Sequence, residues 1–121
     1  MAARSPYVVQ LTTSAGLVAA RLTHARWSVA YQSRSGDPGT PWLEPDVTAM
    51  IRGLARQAAA AVVAVPIGFV CDHIEVLYDL DTEARAAARE VGVAFHRAGT
   101  VMDHPAFIRM LGDLVRAGAA G

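Results

Sequence analysis

The spacing of apolar positions along the chain changes several times, and each change marks an element. Ser5 and Pro6 form a cap followed by a first-turn proline. Tyr7, Leu11, Ala15, Val18 and Leu22 then recur at three and four residues, which predicts a helix from Pro6 to Leu22. Trp27 to Gln32, WSVAYQ, is short, aromatic and β-branched, the pattern of a strand. Gly and Pro punctuate Ser33 to Pro45 as a loop. Asp46 is placed to cap a second helix with Val47, Met50, Ile51 and Leu54 on one face. Ala61 to Val70, AVVAVPIGFV, lacks polar alternation, as does a strand buried on both faces of a helix-covered parallel sheet. A long helix is expected from Asp72 to Val91, ended by Gly92. Val93 to Ala98, VAFHRA, reads as a third strand. His104–Pro105 opens a last helix carrying Phe107, Ile108, Leu111, Leu114 and Val115.

The order α-β-α-β-α-β-α implies parallel strands joined by right-handed crossovers, with helices on both faces of the sheet. Residues 1–121 read as one α/β domain, without internal repeat or linker. Three strands make a narrow sheet against the usual about 5 to 6. Because the chain also opens on a helix, a strand is expected to be missing before residue 1.

Composition narrows the class. Lys plus Arg equals Asp plus Glu at 11 each, so no net field draws nucleic acid or an anionic membrane. The longest apolar run, Ala58 to Cys71, has 14 residues, short of the about 20 needed to span a bilayer. Pro66 and Gly68 interrupt it, and no transmembrane segment is expected. The N-terminus lacks the continuous apolar stretch of a signal peptide, which makes the cytoplasm the expected location. Cys71 is the single cysteine. It excludes an internal disulfide framework and any cluster built on several cysteines of this chain.

The chemistry concentrates in Val65 to Asp81, VPIGFVCDHIEVLYDLD, and just beyond it. Glu75, Asp79 and Glu83 follow one another at four residues on one helix face. They span about 12 Å at 1.5 Å per residue. Like charges at this spacing cost about 0.2–0.5 kcal/mol per pair. A hard divalent cation would relieve that repulsion, since carboxylate oxygens are its natural ligands. Two plainer readings stand beside this one. Asp72 and Glu75 have the spacing of a capping box. The ladder also has the form of a solvated acidic stripe, with Asp81 and Arg85 an ordinary pair on the exposed face. His73 is turned about 200° from Glu75 on a regular helix, so it reads as a packing or hydrogen-bonding residue. His24, His96 and His104 stand in no metal-ligand spacing. Tyr78 and Trp42 could line a flat apolar pocket, but aromatic core packing is the role put first for each.

The stretch VPIGFVCDHIEVLYDLDTEA, Val65 to Ala84, resembles the ferrochelatases, enzymes that insert ferrous iron into a porphyrin. The resemblance rests on the Gly-Phe-Val turn, the Asp-His-x-Glu-Val opening and the Tyr-Asp-x-Asp continuation. It extends over YQSRSGDPGTPWLEPDV, Tyr31 to Val47, and DHPAFIRMLGDLV, Asp103 to Val115. The chain is similar throughout to the C-terminal half of coproporphyrin-using ferrochelatases of Gram-positive bacteria. The resemblance implies a chelatase-like (Rossmann-like) fold. It implies Fe2+ as substrate metal and a porphyrin substrate, coproporphyrin III ahead of protoporphyrin IX, in heme biosynthesis. Glu75 matches the family's acidic residue at the metal-insertion site. Asp79 and Glu83 match the carboxylates that continue along a helix partly widened toward a π-helix. The family's catalytic histidine lies in a Ser/Thr-Ala-His-Ser motif that this chain lacks, and the N-terminal half that supplies most of the porphyrin surface is absent. The iron–sulfur cluster of some relatives is not expected with Cys71 alone, and Cys71 is expected to be small and buried. A half-size chelatase acting as a homodimer, and a non-catalytic truncated binder of metal or partner, are the alternatives.

Overall fold

In the computed structural model, residues 6–23, 26–32, 39 and 43–120 are described. Two helices come first, α1 (Pro6–Arg21) and α2 (Val47–Arg56). Strand β1 (Ala61–Ala64) follows, and then one continuous helical rod of three parts. The rod starts as α3 (Ile74–Val76), widens into a π-helix over Leu77–Ala84, and resumes as α4 (Arg85–Glu90). Strand β2 (Ala94–Arg97) and α5 (Pro105–Ala120) complete the order.

Local chemistry sets the boundaries. Asp46 Oδ2 accepts from the Thr48 amide at 3.0 Å and caps α2 as its sequence position predicts. Gly92 takes φ +73, a left-handed turn that only glycine adopts without strain, and closes α4. His104 Nδ1 accepts from the Ala106 amide at 3.2 Å, next to the first-turn proline of α5. Pro66 has no N–H to give to a ladder, and β1 ends two residues before it. The strand expected over Ala61–Val70 is therefore four residues long, and a tight turn replaces its second half. In that turn the Ile67 amide donates to the Val65 carbonyl at 2.8 Å, and the Phe69 amide to the Pro66 carbonyl at 3.2 Å.

The two strands pair in parallel, with Ala61 opposite Ala94, Val62 opposite Phe95, Val63 opposite His96 and Ala64 opposite Arg97. This register puts Val62, Ala64, Phe95 and Arg97 on the face that the α3–π–α4 rod covers. The core is Ile51 of α2, Val76, Leu80, Ala84 and Ala88 of the rod, and Val93 and Phe95 around β2.

Two expectations are corrected. The sheet among the described residues has two strands, not three. Trp27–Gln32 runs extended but bridges to Asp46 through Tyr31 alone, its amide donating to the Pro45 carbonyl at 2.9 Å. Its neighbours are other elements: the Trp27 ring lies against Gly16 of α1, and the Ser28 hydroxyl faces the Met50 sulfur of α2 at 3.6 Å. Among the described residues, helices cover one face of the sheet, where both were expected. Ala61, Val63, Ala94 and His96 point to the open face, and Val63 is 63% exposed. No residue of α5 is buried, and Ile108, Leu111, Leu114 and Val115 stand exposed along it. An apolar run therefore shows only that a strand is suited to burial on both faces.

Ile51 is 1% exposed at the centre of the core. Ile51→Ala is expected to destabilise the chain by about 3 kcal/mol, and Val63→Thr on the open face by less than about 0.5 kcal/mol. Urea unfolding followed by circular dichroism measures both.

Candidate functional site

The carboxyl ends of two parallel strands are where an α/β sheet leaves room for a ligand. Here β1 leads into the turn that precedes α3, and β2 leads into residues 98–104. The two connections are joined: the Met102 amide donates to the Val70 carbonyl at 2.9 Å, and the Asp72 amide to the Met102 sulfur at 3.3 Å. Met102 takes φ +47 to do so, a left-handed conformation unusual for its residue type.

Arg97, the last residue of β2, organises this end of the molecule. Its Nε and one terminal nitrogen donate to the two oxygens of Asp81 at 2.6 and 2.9 Å. Its other terminal nitrogen donates to Asp72 Oδ1 at 3.1 Å. Thr100 adds its hydroxyl to the same Asp72 oxygen at 2.9 Å and its amide at 3.3 Å. The Arg97 side chain is 12% exposed, so these charge-assisted bonds form largely out of water. The Thr100 hydroxyl, followed by Arg97, holds the Asp72 carboxyl below its ordinary value. Arg97 and then Arg85 do the same for Asp81, and the two carboxylates raise Arg97 in turn.

Asp72 is thus no helix cap. The helix begins one residue later, and His73 Nδ1 accepts from the Glu75 amide at 3.2 Å. The His73 ring also meets Phe69 edge-on at 4.9 Å, the packing and hydrogen-bonding role its spacing from Glu75 implied. Asp81 and Arg85 do not form a simple solvated pair. Arg85 approaches the Asp81 carboxylate only to 3.8 Å. Its guanidinium sits 5.3 Å from the centre of the Phe95 ring, a cation–π contact, and donates to the Phe95 carbonyl at 3.5 Å.

The carboxylate ladder lies along the other flank of the rod. Glu75 stands exposed in the first turn; its carbonyl accepts from Gln32 Nε2 at 3.3 Å. Asp79 is half-buried and Glu83 exposed, both in the π-helix. Among the described residues no three His, Cys, Asp or Glu side chains gather closely enough to hold a metal ion, so the three carboxylates are spread along the rod.

The π-helix explains their alignment. In an α-helix a step of four residues passes a full turn by about 40°, so the two steps from Glu75 to Glu83 would drift by about 80° and the three from Val76 to Ala88 by about 120°. A π-helix closes its hydrogen bonds at five residues and takes more residues per turn, so a step of four falls short. A rod that mixes the two keeps residues four apart in line. The buried stripe Val76, Leu80, Ala84, Ala88 shows this directly. Glu75, Asp79 and Glu83 each precede a stripe residue by one and share its alignment.

Val70, Ile74, Leu77 and Tyr78 in the turn and the first part of the rod are exposed, as are Val101 and Met102 in the connection after β2. Tyr78, at 53% exposure, is therefore not a core aromatic. Cys71 is likewise exposed, because the turn carries it outward. Trp42 and His24 lie outside the described residues. Sequence reasoning did not find Arg97, Thr100 or Gln32, which lie 16 or more residues from their partners in the rod and its leading turn. No local spacing in the sequence joins them to those partners.

Asp72 and Asp81 have folded-state values below the ordinary 3.8. Both therefore contribute stability that is present above about pH 4 and lost as pH falls through their lowered values. The urea midpoint is expected to hold from pH 7 to about 5 and then decline toward pH 2.5. Asp81→Asn is expected to lower the midpoint at pH 7 and to flatten that decline.

The family model for ferrochelatase matches residues 1–119. Among curated relatives, the coproporphyrin III ferrochelatase of Propionibacterium freudenreichii is 54% identical over 91 residues, 75% of this chain and 26% of that protein. That of Streptomyces griseus is 52% identical over 94 residues, 78% of this chain and 25% of that protein. That of Mycolicibacterium smegmatis is 46% identical over 109 residues, 90% of this chain and 32% of that protein. The chain thus spans about a quarter to a third of the length of the curated relatives it matches. With its family model matched almost from end to end, the chain belongs to the ferrochelatase family.

Proposed function

We propose that this chain is the metal-handling part of an enzyme that inserts ferrous iron into a porphyrin, coproporphyrin III ahead of protoporphyrin IX. The observation that carries the reading is the acidic flank of the α–π–α rod. Three carboxylates line a rod that starts at the carboxyl ends of two parallel strands, the first of them near exposed apolar side chains suited to a flat macrocycle.

Insertion of a dication must release two protons from the pyrrole nitrogens. Glu75 is the residue assigned to that exchange. Its position at the start of the rod puts a carboxylate near those apolar side chains, where it can accept a proton and steer the ion. Asp79 and Glu83 are assigned to the approach, passing a hydrated ferrous ion along the rod by successive oxygen ligation. The iron is substrate throughout, and the spread of the carboxylates suits a path better than a storage site.

The same reading places the remainder of a Rossmann-like sheet, the porphyrin-binding half and the Ala-His-Ser histidine in a longer enzyme, packed against the open face of Val63 and His96. It places that enzyme in the cytoplasm and, with Cys71 the lone cysteine, without an iron–sulfur cluster on this part. No helix among the described residues is long and apolar enough to cross a membrane.

The test exchanges this chain for the matching segment of the Mycolicibacterium smegmatis relative. Glu75→Gln in that enzyme is expected to lower iron insertion by about 100-fold or more, with porphyrin binding and circular dichroism unchanged. Asp79→Asn and Glu83→Gln are expected to raise KM for iron more than they lower kcat. Full turnover by Glu75→Gln would sink the assignment.

A further inference from the structure

The point where the π-helix returns to α-helix carries a second set of contacts that the carboxylate path does not use. Where bonding changes from five residues to four, one carbonyl is passed over. Here it is that of Asp81: the Arg85 amide donates to the Leu80 and Thr82 carbonyls instead. The Arg85 side chain supplies the missing partner, its Nε donating to the Asp81 carbonyl at 3.2 Å. The Asp81 carboxylate is held at the same time by two nitrogens of Arg97. Arg97 also holds Asp72, before the rod begins. Both arginines rest on β2, Arg97 as its last residue and Arg85 over Phe95.

A single planar guanidinium thus fixes the separation of Asp72 and Asp81. That separation depends on how the residues between them are wound. Winding Leu77–Ala84 as α-helix would lengthen the rod and displace its first turn around the axis by about 100°, one residue's share of a turn, for the one carbonyl passed over. Asp72 and Asp81 would then no longer meet on one guanidinium, and Glu75 would no longer line up with Glu83.

We propose that Arg97 is a positioning residue that selects the π-helical form of this rod, with Arg85 completing the junction, and that it thereby sets the alignment of Glu75 with Asp79 and Glu83. The winding stands on the geometry alone; its consequence for iron insertion rests on the function proposed for Glu75.

The winding can be read in the 121-residue chain by through-hydrogen-bond 15N–13C′ NMR correlations. The wild-type chain is expected to show the Arg85 amide coupled to the Leu80 carbonyl. In Arg97→Lys, which keeps the charge but not the fork, that coupling is expected to vanish in favour of Arg85 to Asp81. Amide exchange over residues 82–85 should quicken more than tenfold, while the β1–β2 amides stay protected. Thr100→Val, which removes a bond to Asp72 and leaves Arg97 in place, is expected to retain the Arg85–Leu80 coupling. An intact coupling in Arg97→Lys, or its loss in Thr100→Val as well, would overturn the proposal. Should Arg97→Lys fail to fold, Asp81→Asn decides: loss of the coupling with the β1–β2 correlations intact supports the proposal, and its retention overturns it. In the segment-exchanged enzyme, Arg97→Lys is expected to lower kcat more than tenfold with KM for porphyrin unchanged. Full activity of Glu75→Gln there would remove the function proposed for Glu75 and leave the NMR result to judge the winding.

Discussion

Two carboxylates nine positions apart, Asp72 and Asp81, share one guanidinium from β2, and most of the site takes its place from that arrangement. Arg97 lies on the covered face of the sheet, where charges interact through a lower effective dielectric than in water. Removing any one of the three groups leaves an incompletely compensated charge in a poorly hydrated place, so the three behave as a unit. The turn after β1, the middle of the rod and the end of β2 are thereby tied together. Glu75 stands between two of those tethered points, three residues after Asp72 and six before Asp81.

A second constraint follows from how the rod is wound. Val76, Leu80, Ala84 and Ala88 bury a straight stripe of residues four apart, and the acidic ladder runs parallel to it one residue earlier. A uniform α-helix would turn both stripes progressively away from the sheet. The π-helix restores the alignment at the expense of one carbonyl, which Arg85 satisfies from the side. Buried packing and the line of carboxylates therefore have the same geometric origin. The opposite flank, with Asp81 and Arg85, is spent on holding the rod to β2, so the arginine charge there goes to Asp72 and Asp81.

Among the described residues, one face of the sheet is covered and the other is open. Ile51, Val76 and Phe95 close the core beneath the rod, whereas Val63, His96 and the apolar residues of α5 face outward. A flat macrocycle needs surfaces on both sides to be held and distorted. On the proposed function this chain offers the surface that handles the metal. The relatives, about three times as long, have the material for the other.

Local chemistry was enough to read much of this from the residues alone. Asp46 as a cap, Gly92 as a stop and His104–Pro105 as a helix start act within a few residues of themselves, and each stands where its spacing placed it. The Glu75, Asp79, Glu83 spacing was equally plain. The role proposed for the ladder came only through the resemblance of Val65 to Ala84 to a known family. Tertiary structure decided the rest. The part of Asp72 changed from cap to clamp because Arg97 and Thr100, 25 and 28 residues away, offer stronger partners than an amide of its own helix. Tyr78 and Cys71 came out exposed, and β1 covered on one face, because burial depends on which neighbours arrive and not on a residue's own hydrophobicity. The spacing of the residues left the winding of the rod open, and only the family resemblance implied the π-helix that Leu77–Ala84 adopts: a four-residue period is compatible with α and π alike until a partner from another element fixes the distance between its ends.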